Sequence, residues 1–322
     1  MAESKVSASL LNPSRNSKHN NNNSMKYKLD CQNIIDKSKS ISDTRDWLNL
    51  EKQIEHDSED YTLYNALLEK QKQIVVKIGP EKLKYEYEIG KLLDTLNIPT
   101  FIGYICMFNC LDDFYKMKGK SKAEKMVINS SRSFLCKKEG GIINVIVMPY
   151  INSGSVDKYN WNKENFAILK NVIKHIVISI LYSALMIGFI HTDAHLGNIM
   201  IQKTKRKIIN YGDFYSLEII GGIIPVIMDY DRAIIQNESV DLALVYNDIR
   251  KVFSLLDSEL KIKFNISKIL DLLRILTINK IIITKDLCNK ILDEIDKLEI
   301  YLDLTQKREL PDFLKPQSSR KV

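Results

Sequence analysis

Residues 191–198 combine an aspartate and an asparagine in the arrangement that phosphoryl transfer requires. The segment reads His-Thr-Asp-Ala-His-Leu-Gly-Asn, so that Asp193 and Asn198 belong to one short loop. An aspartate can orient an attacking hydroxyl and accept its proton, while a nearby amide oxygen can hold magnesium. The alternative is an ordinary polar loop that follows a helix, and the rest of the sequence must decide between these two interpretations.

Two further charged side chains lie in or after apolar, strand-like segments. Asp229 follows the apolar residues 223–228, where a carboxylate can chelate the magnesium that bridges nucleotide phosphates. Lys77 lies in the β-type segment 74–78 and can grip those phosphates, although a single lysine there is more often an ordinary strand residue. These features follow one another in the order lysine strand, helix, apolar helix, aspartate loop and second aspartate. Chance is a poor explanation for this combined order.

These residues require a β-rich region and a helical region to position them. Residues 61–151 contain short β-type segments and one helix at about 81–96, whereas the later pattern is mainly helical. Helices are predicted at 165–187, 241–257, 264–275 and 285–303. We therefore predict an α+β, bilobal fold with a small β-rich N-lobe and a larger helical C-lobe. Its divisions are a disordered basic Asn/Ser-rich tail at 1–40, an N-lobe at 41–151 with a basic insert at about 112–139, a C-lobe at 152–308 with an inserted hairpin at about 203–224, and a flexible tail at 309–322.

The combined pattern resembles the protein-kinase superfamily over about residues 60–305. Its large-lobe part is most similar to haspin-type kinases and to Ser/Thr protein kinases of large DNA viruses, in which the catalytic loop reads H-x-D-x-H-x-G-N and the metal motif begins Asp-Tyr. The resemblance implies ATP and Mg²⁺ as cofactors. It also implies roles for the matching residues: Asp193 as catalytic base, Lys77 on the phosphates, His195 in place of the usual lysine, Asn198 and Asp229 as metal ligands, His191 as a structural residue, and Asp248 as the helix aspartate that braces the loop. A helix N-cap is the alternative role for Asp248.

The segment between the two predicted lobes is similar to the kinase hinge, which meets adenine through its backbone. Met148, Pro149 and Ile151 are the binding residues that this similarity implies. Adenine would need the carbonyl of Pro149 and the N–H of Ile151. Because proline lacks only its own N–H, it is compatible with this arrangement.

The glutamate that would pair with Lys77 is left open by the sequence. Glu86 has apolar or small residues three, four and seven positions later, which resembles the packing pattern of the kinase glutamate. Glu88 better suits the usual spacing between the lysine strand and the helix. The two side chains point to different sides of a helix, so we expect only one of them to serve.

Three features depart from the kinase pattern. No glycine precedes Gly79, so the glycine-rich loop that normally covers the phosphates is missing and residues 58–63 take its place. Thr192 replaces the arginine that usually receives an activation-segment phosphate. Eighteen residues separate Asp229 from Asp248, so the surface that docks peptide substrates must be reduced or rebuilt.

The function predicted from these residues is that of a divergent ATP-dependent Ser/Thr protein kinase. The missing glycines and the short segment after the second aspartate also allow a phosphotransferase that acts on a small hydroxylated molecule. A pseudokinase that serves as a binding module is a further alternative. A basic nucleic-acid-binding protein ranks last, because the chain has no regular base-reading or stacking motif.

Charge and cysteine content bear on partners and compartment. The net charge of +7 is concentrated partly in the first 28 residues and in residues 112–139, which could attract acidic protein or nucleic acid. The five cysteines suggest no disulfide framework, and we interpret Cys106 and Cys110 as thiols. Without a signal-peptide pattern, an intracellular location is expected, cytoplasmic or nuclear, and in the host cell or virion for a viral protein. The apolar run at 176–190 is shorter than a bilayer requires, so no membrane span is expected.

Overall fold

The sheet that carries Lys77 has five antiparallel strands. In this computed structural model the strands pair in the order β1-β2-β3-β5-β4, with β1 at Leu48–Ile54, β2 at Thr62–Leu68, β3 at Lys72–Gly79, β4 at Cys106–Asp112 and β5 at Gly141–Pro149. Buried and half-buried residues alternate along β2, as expected for a strand whose two faces meet different surroundings. The predicted β-type segment 74–78 lies within β3, and β5 is a further strand of the predicted β-rich region 61–151.

The structure describes only part of the chain. The described residues are 31–36, 47–54, 61–69, 72–112, 135–136, 140–236, 240–260, 262–263, 268–272, 274, 283–298 and 301–302. The predicted tail at 309–322, most of the tail at 1–40 and most of the basic insert lie outside them. Residues 31–36 differ from the predicted disorder, because they are helical and Ile34 packs into the core of the sheet.

Within the described ranges, four helices have 12 or more residues. They are α1 (Lys82–Asp94), α2 (Phe166–Ile187), α3 (Leu242–Leu260) and α4 (Lys285–Asp296). The helix predicted at 285–303 ends earlier, and its last residues instead form β13 (Tyr301–Leu302), which pairs with β12 (Ile262–Lys263). Within the segment 264–275, residues 268–272 and 274 are helical.

Helix α2 is the central element of the larger core. Its length and composition would suffice for crossing a membrane, with a mean hydropathy of 1.5 over its most apolar window. However, 78% of that window is buried against the rest of the protein, as in the core helix of a folded domain. The helix therefore gives only weak evidence for a membrane span.

Short antiparallel pairs bring the two aspartate-bearing loops together. Strands β6 (Phe189–Ile190) and β11 (Ile234–Ile235) pair, as do β7 (Ile199–Lys203) and β10 (Ile223–Ile227). The register of the second pair sets Ile199 opposite Ile227. Asn198 immediately precedes β7, and Asp229 closely follows β10, so this pairing places the two predicted metal ligands at the same end. The hairpin of β8 (Ile208–Tyr211) and β9 (Tyr215–Glu218) lies within the predicted insert.

The two faces of the sheet belong to different hydrophobic clusters. Alternate residues of a strand point to opposite faces. On β3, Ile74, Val76 and Ile78 therefore pack into the smaller cluster, together with Trp47. Val75 packs on the larger cluster, which contains α2 and most of the helical region. Lys77 lies two positions after Val75 and on the same face of β3. Its side chain therefore points toward α1 and toward the segment that carries Asp229.

The cysteine prediction requires a correction. Cys110 is joined to Cys136 by a disulfide, with the two Cα atoms 5.2 Å apart, whereas Cys106 is a buried thiol outside this disulfide, as expected. The partner was not apparent from the sequence because 26 positions separate the two residues. The end of β4 and the segment at 135–136 approach each other only in the folded chain, where the backbone N–H of Cys136 also donates to Asp112.

Candidate active site

Lys77 is the centre of a buried group of charges. Its side chain is 2% exposed, and its Nζ lies 2.7 Å from Glu86 Oε2 and 2.6 Å from Asp229 Oδ1. Burial disfavours the ammonium, but the two carboxylates outweigh that effect and raise the pKa of Lys77. Lys77 is therefore held in its charged form between α1 and the segment that follows β10. We call Lys77, Glu86 and Asp229 the buried cluster.

The structure distinguishes between the two candidate glutamates. Glu86 is buried, and besides binding Lys77 it accepts a hydrogen bond from the hydroxyl of Tyr104 at 2.7 Å. Glu88 is exposed, because two residues turn an α-helix by about 200°. Of the two, Glu86 is the one that contacts Lys77, and Glu88 does not reach the site.

Asp229 is held by hydrogen bonds to both of its carboxylate oxygens. Oδ1 accepts from Lys77, and Oδ2 accepts from the hydroxyl of Tyr61 at 3.0 Å. Burial acts to raise the pKa of Asp229, but the charge of Lys77 and these hydrogen bonds outweigh it and lower the pKa. The backbone of Asp229 has a φ of 65°, a left-handed conformation that few residues other than glycine adopt. The surrounding contacts therefore fix an ionised carboxylate in an uncommon backbone conformation.

Tyr61 is a site residue that the sequence analysis did not identify. It precedes β2, and its ring centroid lies 3.7 Å from Lys77 Nζ, which is a cation–π contact. It belongs to residues 58–63, the segment that takes the place of the glycine-rich loop. The missing glycines pointed to this segment, but no local pattern indicates which of its side chains turns inward.

The predicted catalytic loop, residues 191–198, which we call the catalytic loop below, follows a chain reversal that requires glycine. Helix α2 ends at Gly188, whose φ is 66°. A Cβ atom at this position would lie 1.9 Å from the carbonyl oxygen of Gln236, closer than real side chains approach. The reversal leads through β6 directly into the loop, so it determines where the loop starts.

Asp248 anchors the catalytic loop through the backbone. Its Oδ2 accepts hydrogen bonds from the N–H groups of His191 at 2.9 Å and Thr192 at 3.1 Å. Because α3 begins at Leu242, Asp248 lies inside the helix and is not its N-cap. The imidazole of His191 in turn donates from Nε2 to the carbonyl of Met228 at 2.9 Å. The catalytic loop is thereby tied both to α3 and to the segment that carries Asp229.

Asp193 lies in a more open group of charges. Lys251 Nζ contacts its Oδ1, and Arg232 Nη1 lies 3.7 Å from its Oδ2. Burial acts to raise the pKa of Asp193, but the hydrogen bond and charge of Lys251 outweigh it and lower the pKa. We call Asp193, Lys251 and Arg232 the open cluster. Neither cation was predicted from the sequence, and no motif marks Lys251, which lies 58 positions from Asp193.

A single cavity of about 750 Å³ connects the predicted residues. Its lining combines apolar side chains, such as Ile54, Val75 and Met200, with charged and polar groups. Glu88, His191 and Asp248 are not among the lining residues, whereas the other predicted residues are: Lys77, Glu86, Met148, Pro149, Ile151, Asp193, His195, Asn198 and Asp229. An elongated ligand with one apolar and one anionic part fits such a lining.

The residues at the charged part of this cavity suit magnesium that is bound together with phosphates. The amide nitrogen of Asn198 donates to the carbonyl of Asp193 at 3.2 Å, which keeps its Oδ1 for another partner. Each oxygen of Asp229 retains a further lone pair beyond its hydrogen bond. Among the described residues, no group of three or more His, Cys, Asp and Glu side chains could hold a metal ion. Mg²⁺ commonly takes one or two protein ligands and completes its coordination with phosphate and water, so the residues present fit it.

Comparison with known proteins supports one broad assignment. No curated protein matches the chain. Residues 140–219 match the ABC1 atypical kinase-like domain. This segment is about a quarter of the chain and includes β5, α2, the catalytic loop and the β8–β9 hairpin, whereas Lys77, Glu86, Asp229 and Asp248 lie outside it. The match supports the predicted protein-kinase-like superfamily, although similarity to haspin-type or viral kinases is not shown. The chain thus resembles a divergent kinase-like domain over this segment, and its architecture is mixed α+β.

Proposed function

We propose that this protein is an ATP-dependent phosphotransferase that transfers the γ-phosphoryl group of Mg·ATP to a Ser or Thr hydroxyl of a protein. The observation that carries the proposal is the convergence of Lys77, Asp193 and Asp229 on one cavity. In a bilobal kinase arrangement, the five-stranded sheet would cover the nucleotide, and the helical region would present the acceptor. The haspin-like loop motif favours a protein hydroxyl as the acceptor.

Different residues of the cavity would bind different parts of Mg·ATP. Backbone groups at Pro149 and Ile151 would hold adenine, and Lys77 would neutralise phosphate charge while Glu86 keeps its ammonium in place. Asn198 and Asp229 would hold Mg²⁺, which supplies positive charge for the phosphates. His195 lines the same cavity near Asp193 and, as an imidazole, supplies less positive charge than a lysine would.

The transfer step follows from the position of Asp193. The acceptor oxygen forms a bond to the γ-phosphorus as the bond from that phosphorus to the bridging oxygen breaks. ADP leaves with the electron pair of the broken bond, and the hydroxyl proton passes to the carboxylate of Asp193. Since the charge of Lys251 keeps this carboxylate ionised, Asp193 can accept the proton near neutral pH.

A small hydroxylated acceptor is the second candidate. Tyr61 occupies the place of the glycine-rich loop, and only eighteen residues separate Asp229 from Asp248, so the surface for a peptide acceptor is short.

A pseudokinase is the third candidate. The contact of Tyr61 with Asp229 favours it equally, because metal binding at Asp229 would be lost if this contact persisted.

The cellular setting belongs to the proposal as well. We propose an intracellular protein, in the cytoplasm or nucleus, or in the host cell or virion for a viral protein, whose basic segments attract acidic protein or nucleic acid. The Cys110–Cys136 disulfide is unusual for a reducing compartment, so free-thiol counting on protein from intact cells tests this part.

The test of the proposed function is label transfer from γ-labelled ATP with Mg²⁺. The acceptors would be the protein itself, dephosphorylated casein as an acidic protein and histone as a basic one. We expect label on Ser or Thr, and we expect Asp193→Ala to lower turnover by about 10³-fold because it removes the general base. Asp213→Ala, an exposed aspartate of the β8–β9 turn, is the matched control and should leave turnover unchanged.

Other outcomes of this assay would favour a different function or a different catalytic base. ATP consumption without protein label would favour a small-molecule acceptor. Nucleotide binding without consumption would favour the pseudokinase. Wild-type turnover in the Asp193→Ala variant would show that the assignment of the base is wrong.

A further inference from the structure

Helix α3 contacts the catalytic loop at two points, one turn apart. Asp248 accepts hydrogen bonds from the backbone of His191 and Thr192. Three positions later, Lys251 contacts the side chain of Asp193. Side chains three positions apart lie on the same face of a helix, so one face of α3 holds both the backbone of the loop and the carboxylate that the loop presents.

We propose that Lys251 is a positioning residue that fixes the orientation of the Asp193 carboxylate for proton transfer. This inference rests on the proposed function. The contact is made to Oδ1, whereas Arg232 approaches Oδ2 only to 3.7 Å, which is beyond hydrogen-bonding distance. With Oδ1 held by Lys251, Oδ2 remains the oxygen that can accept the proton of the acceptor hydroxyl.

The location of Lys251 supports a role that acts through Asp193. Asp193, His195 and Arg232 line the cavity, whereas Lys251 is not among its lining residues. Lys251 therefore reaches Asp193 from the side of α3. Its side chain is 41% exposed, compared with 67% for Arg232, so the closer cation is also the more buried of the two. The role is thus distinct from direct contact with the nucleotide.

The same contact would have the opposite effect if it blocked Asp193. In that case Lys251 would compete with the acceptor hydroxyl, and its removal would raise turnover. Positioning predicts a loss of turnover, because a misplaced general base loses much of its contribution. The two roles therefore differ in the sign of one measurement.

The experiment compares Lys251→Met and Lys251→Arg with the wild-type chain in the Mg·ATP assay described above. We expect Lys251→Met to lower kcat by about 10- to 100-fold, since a positioned base contributes roughly 10²- to 10⁴-fold. The KM for ATP should change by less than about threefold, because Lys251 does not line the cavity. Lys251→Arg should restore most of kcat, since it returns a cation to Asp193. Arg250→Met removes an exposed cation from the same helix and should have no effect.

Three results would overturn this inference. They are an unchanged or higher kcat in Lys251→Met, equal losses in the Met and Arg variants, and a loss that appears mainly in the KM for ATP. Lys251→Gln, checked by thermal unfolding, replaces Lys251→Met if the latter does not fold, and the same criteria apply. An active wild type with an unaffected Lys251→Met variant contradicts the inference alone, whereas an inactive wild type contradicts the proposed function together with it.

Discussion

The buried cluster and the open cluster place similar charges in very different surroundings. In the buried cluster, the side chains of Lys77, Glu86 and Asp229 are 2%, 1% and 17% exposed. In the open cluster, Asp193 is 19% exposed, much like Asp229, but its cations Lys251 and Arg232 are 41% and 67% exposed. Water can solvate an unpaired charge in the open cluster but not in the buried one. Each charge of the buried cluster therefore depends on its partners, whereas water can replace a missing partner at the cations of the open cluster.

This difference in exposure predicts where substitutions should affect stability and where they should affect the rate of turnover. Removing one partner from a buried ion pair leaves an uncompensated charge and costs several kcal/mol, whereas exposed pairs contribute little. We therefore expect changes in the buried cluster to destabilise the fold and changes in the open cluster to alter turnover. The predictions below test this division, beginning with the largest effect.

Lys77→Met should cause the largest loss of stability. It leaves the carboxylates of Glu86 and Asp229 buried without their shared cation, so the free energy of unfolding should fall by about 3–5 kcal/mol. Urea denaturation at neutral pH measures this change. The control is Lys91→Met, which breaks the exposed pair with Asp94 on the same helix and should cost less than about 1 kcal/mol. Equal losses in both variants would contradict the expectation that burial determines the cost of losing a charge partner.

A buried histidine outside the site tests whether burying a titratable group is enough by itself to affect stability. His175 on α2 lies between the hydroxyl of Tyr211 and the carbonyl of Glu218, and burial lowers its pKa to about 4. Its ordinary value is 6.5, so the unfolded chain binds the proton more readily between these values. Stability should therefore fall as the pH decreases from 6.5 to 4, by about 3 kcal/mol in total.

The measurement is the free energy of unfolding against pH for the wild type and for His175→Gln. Glutamine can retain a hydrogen bond but does not titrate, so the wild type should lose more stability than the variant over this range. Because carboxylates also titrate there, the difference between the two curves is the relevant quantity. Parallel curves would show that His175 does not contribute.

Tyr61→Phe should have the smallest effect, and it acts on Asp229, the proposed metal ligand in the buried cluster. It keeps the ring over Lys77 but removes the hydrogen bond to Asp229, freeing one carboxylate oxygen for Mg²⁺. A net hydrogen bond contributes about 0.5–1.5 kcal/mol, so the affinity for Mg·ATP should rise by a few-fold. Calorimetric titration measures the affinity, and Tyr85→Phe, an exposed tyrosine of α1, is the control. A lower affinity in Tyr61→Phe would instead indicate that its hydroxyl assists binding.

The sequence allowed several parts of the site to be predicted because their geometry is local. Asp193 and Asn198 belong to one loop, and the apolar runs before Asp229 and around Lys77 predicted strands that the structure contains. The apolar content of α2 likewise predicted a buried helix. In each case the pattern depends on neighbours along the chain, where bond geometry limits the arrangement.

The choice of Glu86, the inward turn of Tyr61, the contact of Lys251 and the Cys110–Cys136 disulfide required the tertiary structure. The contact between Lys77 and Asp229 spans 152 positions of sequence, and that between Asp193 and Lys251 spans 58. Spacing along the chain does not determine such distances, because they depend on how the sheet, α1 and α3 pack together. The local pattern of the sequence thus indicated which residue types could carry the proposed chemistry. Which side chains hold them in place depends on tertiary packing, since a buried charge persists only where the whole fold brings it a partner.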